Sequence, residues 1–337
     1  MKIIFNSHIP FCFTHGGGQI QIEQTKAALE RIGVAVEPLR WWDPTQRGDL
    51  LHQWGRVPTS LLRMAQQKGM KVINAELLTS QGSRSPGRLA LQRWGSRFIE
   101  TLVPPAGEQF SWASYRLADA HIAMTSWERH LMNYLFGAPL EKIFIVPNGI
   151  DDIFLQPAPP AAARGRWLIC TGTIHPRKRV LELARAAVQA GTPLWIVGKA
   201  YSAADPYAVE FYALAKQHPD LICTDSPAFE DREGLVKIYH NARGFVLLSA
   251  METRSLAAEE AAACECPLLL SDLPWARASW GDHARYCSIT QSTAQTAAAL
   301  RAFYDAAPSL PRPPKPPTWV KIAEQLRGIY EQVLKSK

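Results

Sequence analysis

The chain has 337 residues, 47% hydrophobic and 20% charged, with a net charge of +7. That length accommodates two α/β domains, and the composition excludes a disordered chain. No apolar run approaches the ~18 residues of a membrane span, and the opening apolar stretch is too short for a signal-peptide core, so the sequence predicts a cytoplasmic protein.

Strand-like and helix-like runs alternate throughout, which predicts parallel sheets with crossover helices. Lys2–Phe5 reads as a first strand. The turn Thr14-His15-Gly16-Gly17-Gly18 follows, then a helix over Gln19–Ile32 stopped at Gly33. Three glycines before a helix suit close backbone approach to an anion; the plainer reading is a surface loop. Val34-Ala35-Val36 begins the next strand, and Lys71–Ile73, His121–Met124 and Ile143–Val146 are later ones. His52, beside Trp54, is a candidate to line a cleft, and the plainer reading is structural.

Arg84, Arg88, Arg93 and Arg97 are interleaved with Leu89, Leu91, Trp94 and Phe98. The expectation is that the apolar residues pack on their own domain, while the arginines meet an acceptor or an anionic membrane. Residues 1–150 carry 16 Lys and Arg against 11 Asp and Glu, most of the chain's positive excess. An anionic partner for that half follows.

The Pro- and Ala-rich stretch from Leu155 to Arg166 reads as a linker. The predicted division is a first Rossmann-like domain over 1–154, a second over 155–317, and a final helix over 318–337. Strands in the second half are Trp167–Thr171, Leu194–Val197, Leu221–Thr224, Phe245–Ser249 and Pro267–Ser271. The six cysteines form no CxxC pair and read as reduced core thiols.

Two loops carry chemistry. After the strand ending at Thr171 comes Gly172-Thr173-Ile174-His175-Pro176-Arg177-Lys178, then a helix near Val180. A glycine turn, basic side chains and a helix N-terminus with unpaired N–H groups together suit a diphosphate. After Ser249 comes Glu252-Thr253-Arg254-Ser255-Leu256, with Glu260 further on. Carboxylates accept hydrogen bonds from vicinal hydroxyls, so this pair suits a sugar and a ribose, and N–H groups near Ser255 and Leu256 suit a phosphate. Neither a G-x-G-x-x-G fingerprint after the first strand nor a Walker A sequence occurs, which speaks against nicotinamide, flavin or P-loop chemistry.

Together these segments resemble glycosyltransferase family 4, a retaining family. Gly16-Gly17-Gly18-Gln19 with Gly33, the segment Val146-Pro147-Asn148-Gly149-Ile150-Asp151, Gly172 with Lys178, and Glu252 with Glu260 at E-x7-E spacing carry the likeness across nearly the whole chain. The resemblance implies a GT-B fold: two Rossmann-like doubly wound domains facing a central cleft, with a C-terminal helix crossing back to the first. It implies that Lys178 binds the donor diphosphate, Glu260 the ribose and Glu252 the transferred sugar. Backbone N–H groups at Gly17, Ser255 and Leu256 complete the phosphate site. No metal or other cofactor is expected, and no nucleic acid. The acceptor would be a glycan or a lipid-linked molecule, with an anionic membrane surface as a further partner. The chain departs from the family where Thr173 replaces an Arg, so that Arg177 or Arg254 supplies that cation. It departs again where Thr253-Arg254-Ser255 replaces Gly-Phe-Gly. The stretch Val72–Leu77 lacks the family's His, leaving Glu76 or His15 to face the sugar. The alternatives are a nucleotide-sugar epimerase and a non-catalytic sugar-nucleotide binder on the same fold.

Overall fold

The computed structural model describes residues 1–8, 11–12, 16–103, 105–160, 163–227 and 231–336. They divide into two compact units, Met1–Gly149 with Pro317–Lys337, and Ile150–Pro316.

The first unit is built on strands β1 (Lys2–Ser7), β2 (Ala35–Pro38), β3 (Leu50–Trp54), β4 (Lys71–Ala75), β5 (Ala120–Ala123) and β6 (Ile143–Ile145), in the order β2-β1-β3-β4-β5-β6. The pairings are parallel. Helices cover both faces of such a sheet, so its central strands read as unbroken apolar runs such as Ile3-Ile4-Phe5. β3 is absent from the expected strands because its centre is His52-Gln53, yet all five of its residues are buried. Its polar groups are paired inside. Asn6 Nδ2 donates to Gln53 Oε1 at 2.7 Å, and His52 Nδ1 lies 2.7 Å from Tyr330 Oη. The His52 ring also stacks on Trp54 with centroids 4.4 Å apart. Such pairing offsets the desolvation that would otherwise expel these groups from a core.

Tyr330 belongs to the last helix, Trp319–Lys335, which packs on the helix Gly17–Arg31 and buries Trp319, Ile322, Leu326, Ile329, Tyr330 and Val333. Its start lies against Gly149, where a Cβ would come 2.6 Å from the Trp319 backbone, so only glycine fits.

The second unit has strands β7 (Leu168–Thr171), β8 (Leu194–Val197), β9 (Ile222–Cys223), β10 (Gly244–Leu247), β11 (Leu268–Ser271) and β12 (Arg285–Cys287), in the order β12-β11-β10-β7-β8-β9. All are parallel to their neighbours. This is the Rossmann order, with its reversal between β7 and β10. β12 escapes the sequence because only Cys287 of its three residues is buried. The units meet at Gly149 and Ile150, not after residue 154, because Ile150 and Phe154 are buried in the second core. All six cysteines are free; Cys170, Cys264, Cys266 and Cys287 are buried, and Cys12 is exposed.

The helix Pro86–Leu102 departs from expectation. Leu89 is its one buried residue, whereas Leu91, Trp94 and Phe98 are exposed. The reason is the direction of its packing. It meets the helix Ser126–Phe136 on the side of Leu89 and Arg93, where the Arg93 guanidinium lies 4.4 Å from the Tyr134 ring centre. Among the described residues no helix is long and apolar enough to cross a membrane.

Burial holds the His52 imidazole down at about 3, and chiefly burial holds His121 at about 4. In the unfolded chain both titrate near ~6.5. Between these values the unfolded state binds more protons, so stability rises with pH across the window and is lost as the pH falls below ~6.5, by up to ~1.4 kcal/mol per pH unit for each imidazole. Denaturant unfolding of wild type and His52→Phe between about pH 7 and pH 4.5 should show a shallower pH dependence in the variant. Parallel curves would remove His52 from this account.

Candidate functional site

β7 and β10 are parallel neighbours, pairing Leu168 with Gly244 and Ile169 with Phe245. Their C-terminal ends therefore share one edge of the sheet, and the loops that follow them meet. Ala250 N donates to Arg177 O at 2.8 Å. The Arg177 guanidinium returns two hydrogen bonds, to Met251 O and to Glu252 Oε1, both at 3.0 Å. Lys178 Nζ donates to the same Glu252 oxygen at 2.6 Å. Two cations thus share one buried carboxylate oxygen.

The loop after β7 is held by backbone bonds. Gly172 N donates to Val197 O at 3.0 Å, and Ile174 N to Lys199 O at 3.1 Å. Here the segment after β8 comes so close that a Cβ on Gly198, whose φ is +155°, would lie 2.0 Å from Gly172 O. Only glycine satisfies both the dihedral and the space. Gly172 itself has φ +149° and faces the Lys178 side chain, while Thr173 is half-buried. A short turn over Pro176–Lys178 follows, with His175 Nδ1 accepting from Arg177 N at 3.2 Å, and then the helix Val180–Ala190. The N-terminus of that helix is not wholly open, as the sequence suggested. Leu181 N donates to Tyr207 Oη at 2.9 Å, and that hydroxyl donates to Glu182 at 2.7 Å.

The loop after β10 leads into the helix Leu256–Ala263, whose N-cap Ser255 accepts from Ala258 N. Arg254 pairs with Glu259, which is wholly buried, and lies 6.0 Å from the Trp280 ring centre. Of the two candidates for the missing cation, Arg177 is the one that joins Lys178 on Glu252. Glu260 has a different set of partners. Tyr239 Oη donates to it at 3.0 Å and Arg232 at 2.9 Å. Arg232 also reaches Asp151 at 3.0 Å and lies over the Phe154 ring. Burial raises the Glu260 pKa, and Arg232 opposes that rise. Tyr239 Oη stands 2.7 Å from Thr171 Oγ1, so Glu260 is tied to the end of β7. Burial pushes the Tyr239 hydroxyl far up, which keeps it a proton donor. Arg232, Tyr239 and Gly198 were not found from sequence. Gly198 alone left a signal, a glycine directly after a strand.

In the first unit the helix Gly17–Arg31 opens at Gly16 without a side-chain cap, and Gly17 and Gly18 form its first turn. His15 lies outside the described residues. Glu76 follows β4, but its carboxylate is engaged. Arg56 grips it at 2.8 and 3.0 Å, and Tyr115 Oη donates to it as well. The four arginines divide. Arg84 donates to Gln92 and Ser80, Arg93 covers Tyr134, and Arg88 and Arg97 are exposed.

No protein-family model and no curated protein sequence matches this chain. Solved structures do. A sucrose-phosphate synthase from Thermosynechococcus elongatus superposes with a TM-score of 0.69 at 16% identity over the whole of both chains. HepE of Anabaena in complex with UDP gives 0.63 at 13% identity, over 98% of this chain and all of that one. The lipopolysaccharide outer core galactosyltransferase WaaB gives 0.62 at 12%, over 98% and 99%. At such identities the likeness is one of fold, and the chain has the GT-B fold of these glycosyltransferases.

Gly198→Ala tests how far the loop depends on this contact. The Gly172 carbonyl must move, at a cost of about 1–3 kcal/mol. Thermal unfolding should show the loss. A variant with wild-type stability would mean that the two backbones part easily.

Proposed function

We propose that this protein transfers a sugar from a nucleotide-sugar donor, with retention of configuration. The observation that carries the reading is the pairing of Lys178 and Arg177 on one oxygen of Glu252 at the β7–β10 reversal, where Rossmann-type sheets bind nucleotides. Two cations suit a diphosphate, and the two carboxylates suit the hydroxyls of a sugar and a ribose. The fold neighbours support the donor class, since HepE is seen with UDP and with UDP-glucose.

Without donor, Glu252 offsets one of the two positive charges and holds both side chains in place. An arriving diphosphate takes over Lys178 and Arg177 and leaves Glu252 to accept from the sugar hydroxyls. Glu260, fixed by Tyr239 and Arg232, accepts from the ribose. As the glycosidic bond to the leaving phosphate breaks, negative charge grows on that phosphate, and Lys178 and Arg177 stabilise it. The acceptor hydroxyl attacks the anomeric carbon on the same face and gives its proton to the leaving phosphate oxygen, which departs with the nucleoside diphosphate. Ser255 and Leu256 add backbone donors. The acceptor is a glycan or lipid-linked molecule met on the first unit. We place the reaction, a hexosyl transfer, in cell-surface glycan synthesis, at the cytoplasmic face of the membrane.

Calorimetry with UDP and UDP-glucose separates the roles. Glu252→Gln removes the carboxylate that competes with the diphosphate, so it should keep or tighten bare UDP and weaken UDP-glucose. Glu260→Gln should weaken both. Lys178→Ala should cost about 2–4 kcal/mol in turnover as well as lowering donor affinity. Equal losses of both ligands in the two Gln variants would refute the assignment. Since cationic side chains carry the phosphate charge, turnover should also survive excess chelator; a loss restored by magnesium or manganese would refute that part.

A further inference from the structure

The exposed face of the helix Pro86–Leu102 reverses the usual pattern. A helix on a soluble domain turns its apolar stripe to the core. Here positions 91, 94, 98 and 102, spaced three, four and four residues apart, form one outward stripe. Leu91 is 67% exposed, Trp94 64%, Phe98 50% and Leu102 64%. Trp94 and Phe98 stack on each other with centroids 5.3 Å apart, and among the described residues they stack on no ring from another element. At ~100° per residue, Arg88 falls on one flank of the stripe and Arg97 on the other, and both are exposed. The helix has one carboxylate, Glu100, and it turns inward to Arg116 at 2.9 Å. The outward face is therefore apolar in the middle, cationic at both edges, and free of acid.

We propose that this face docks on an anionic lipid bilayer, with Leu91, Trp94, Phe98 and Leu102 entering the interface and Arg88 and Arg97 contacting lipid phosphates. It extends the acceptor side of the transfer reading by naming the surface and its partner. The chemistry fits: aromatic and Leu side chains partition into the headgroup–acyl boundary, and flanking arginines gain from negative surface charge. The positive excess of residues 1–150 adds attraction at longer range. A second copy of the chain fits less well, because self-pairing of this face brings in further arginines and offers no carboxylate to meet them.

The test is co-sedimentation of the full chain with vesicles of phosphatidylcholine alone and of phosphatidylcholine mixed with phosphatidylglycerol. Wild type should prefer the anionic vesicles, and added salt should weaken the preference. Trp94→Ser with Phe98→Ser removes exposed side chains only, so thermal stability should hold while vesicle partitioning falls about ten-fold or more. Arg88→Gln with Arg97→Gln should abolish most of the preference for phosphatidylglycerol. Unchanged partitioning in the Trp94/Phe98 variant would overturn the proposal. So would a wild-type dimer, seen by sedimentation without lipid, that this variant turns into a monomer. UDP binding, followed by calorimetry on the same samples, is independent of the helix. Its absence would count against the transfer reading while the vesicle result stood.

Discussion

A single carboxylate oxygen, Oε1 of Glu252, receives both Lys178 and Arg177, and the second unit is organised so that this can happen. The three side chains come from loops more than seventy residues apart in sequence. They meet because β7 and β10 are adjacent and parallel at the point where strand order reverses. Helices leave for opposite faces of the sheet there, which opens space at the strand ends. A buried ion pair is a poor source of stability, since desolvation consumes much of its Coulombic gain. What the pairing does here is hold the Arg177 and Lys178 side chains on one oxygen, with one of their two positive charges left unbalanced.

That arrangement requires a stiff loop. The contact between Gly172 and Gly198 supplies part of the stiffness, because two backbones packed this closely leave the loop little room to move. The bond from Ala250 N to Arg177 O adds a second fastening, made through the backbone of the residue whose side chain reaches Glu252. Arg177 arrives from five residues beyond Gly172. Arg254 is drawn off to Glu259, whose burial would otherwise strand a carboxylate.

The first unit spends its buried polar groups differently. Asn6, Gln53, His52 and Tyr330 pair with one another in the core, joining the sheet to the last helix. Glu76 is similarly enclosed by Arg56 and Tyr115. The unit's outward features are the glycine-rich start of its first helix and the apolar stripe of Pro86–Leu102. That stripe is on the outside because the helix takes its intramolecular contacts through Leu89, Arg93 and Glu100.

Local pattern was enough for most of the architecture. Apolar β-branched runs between amphipathic stretches located ten of the twelve strands among the described residues, and the spacing of Gly172, Lys178, Glu252 and Glu260 marked two loops that the fold brings into contact. β3 and β12 were hidden, the one because its polar side chains find partners across 47 and 278 residues, the other because it is short and largely unburied. The sequence could also show that residues 84–98 alternate arginine with apolar side chains, but not which side faces inward, since amphipathic periodicity has no sign until a neighbour packs against it. What only the tertiary structure decided is pairing. Which cation reaches Glu252, which groups hold Glu260 and which glycine must stay glycine all depend on strand order, and strand order brings together residues whose separation along the chain carries no trace of their contact.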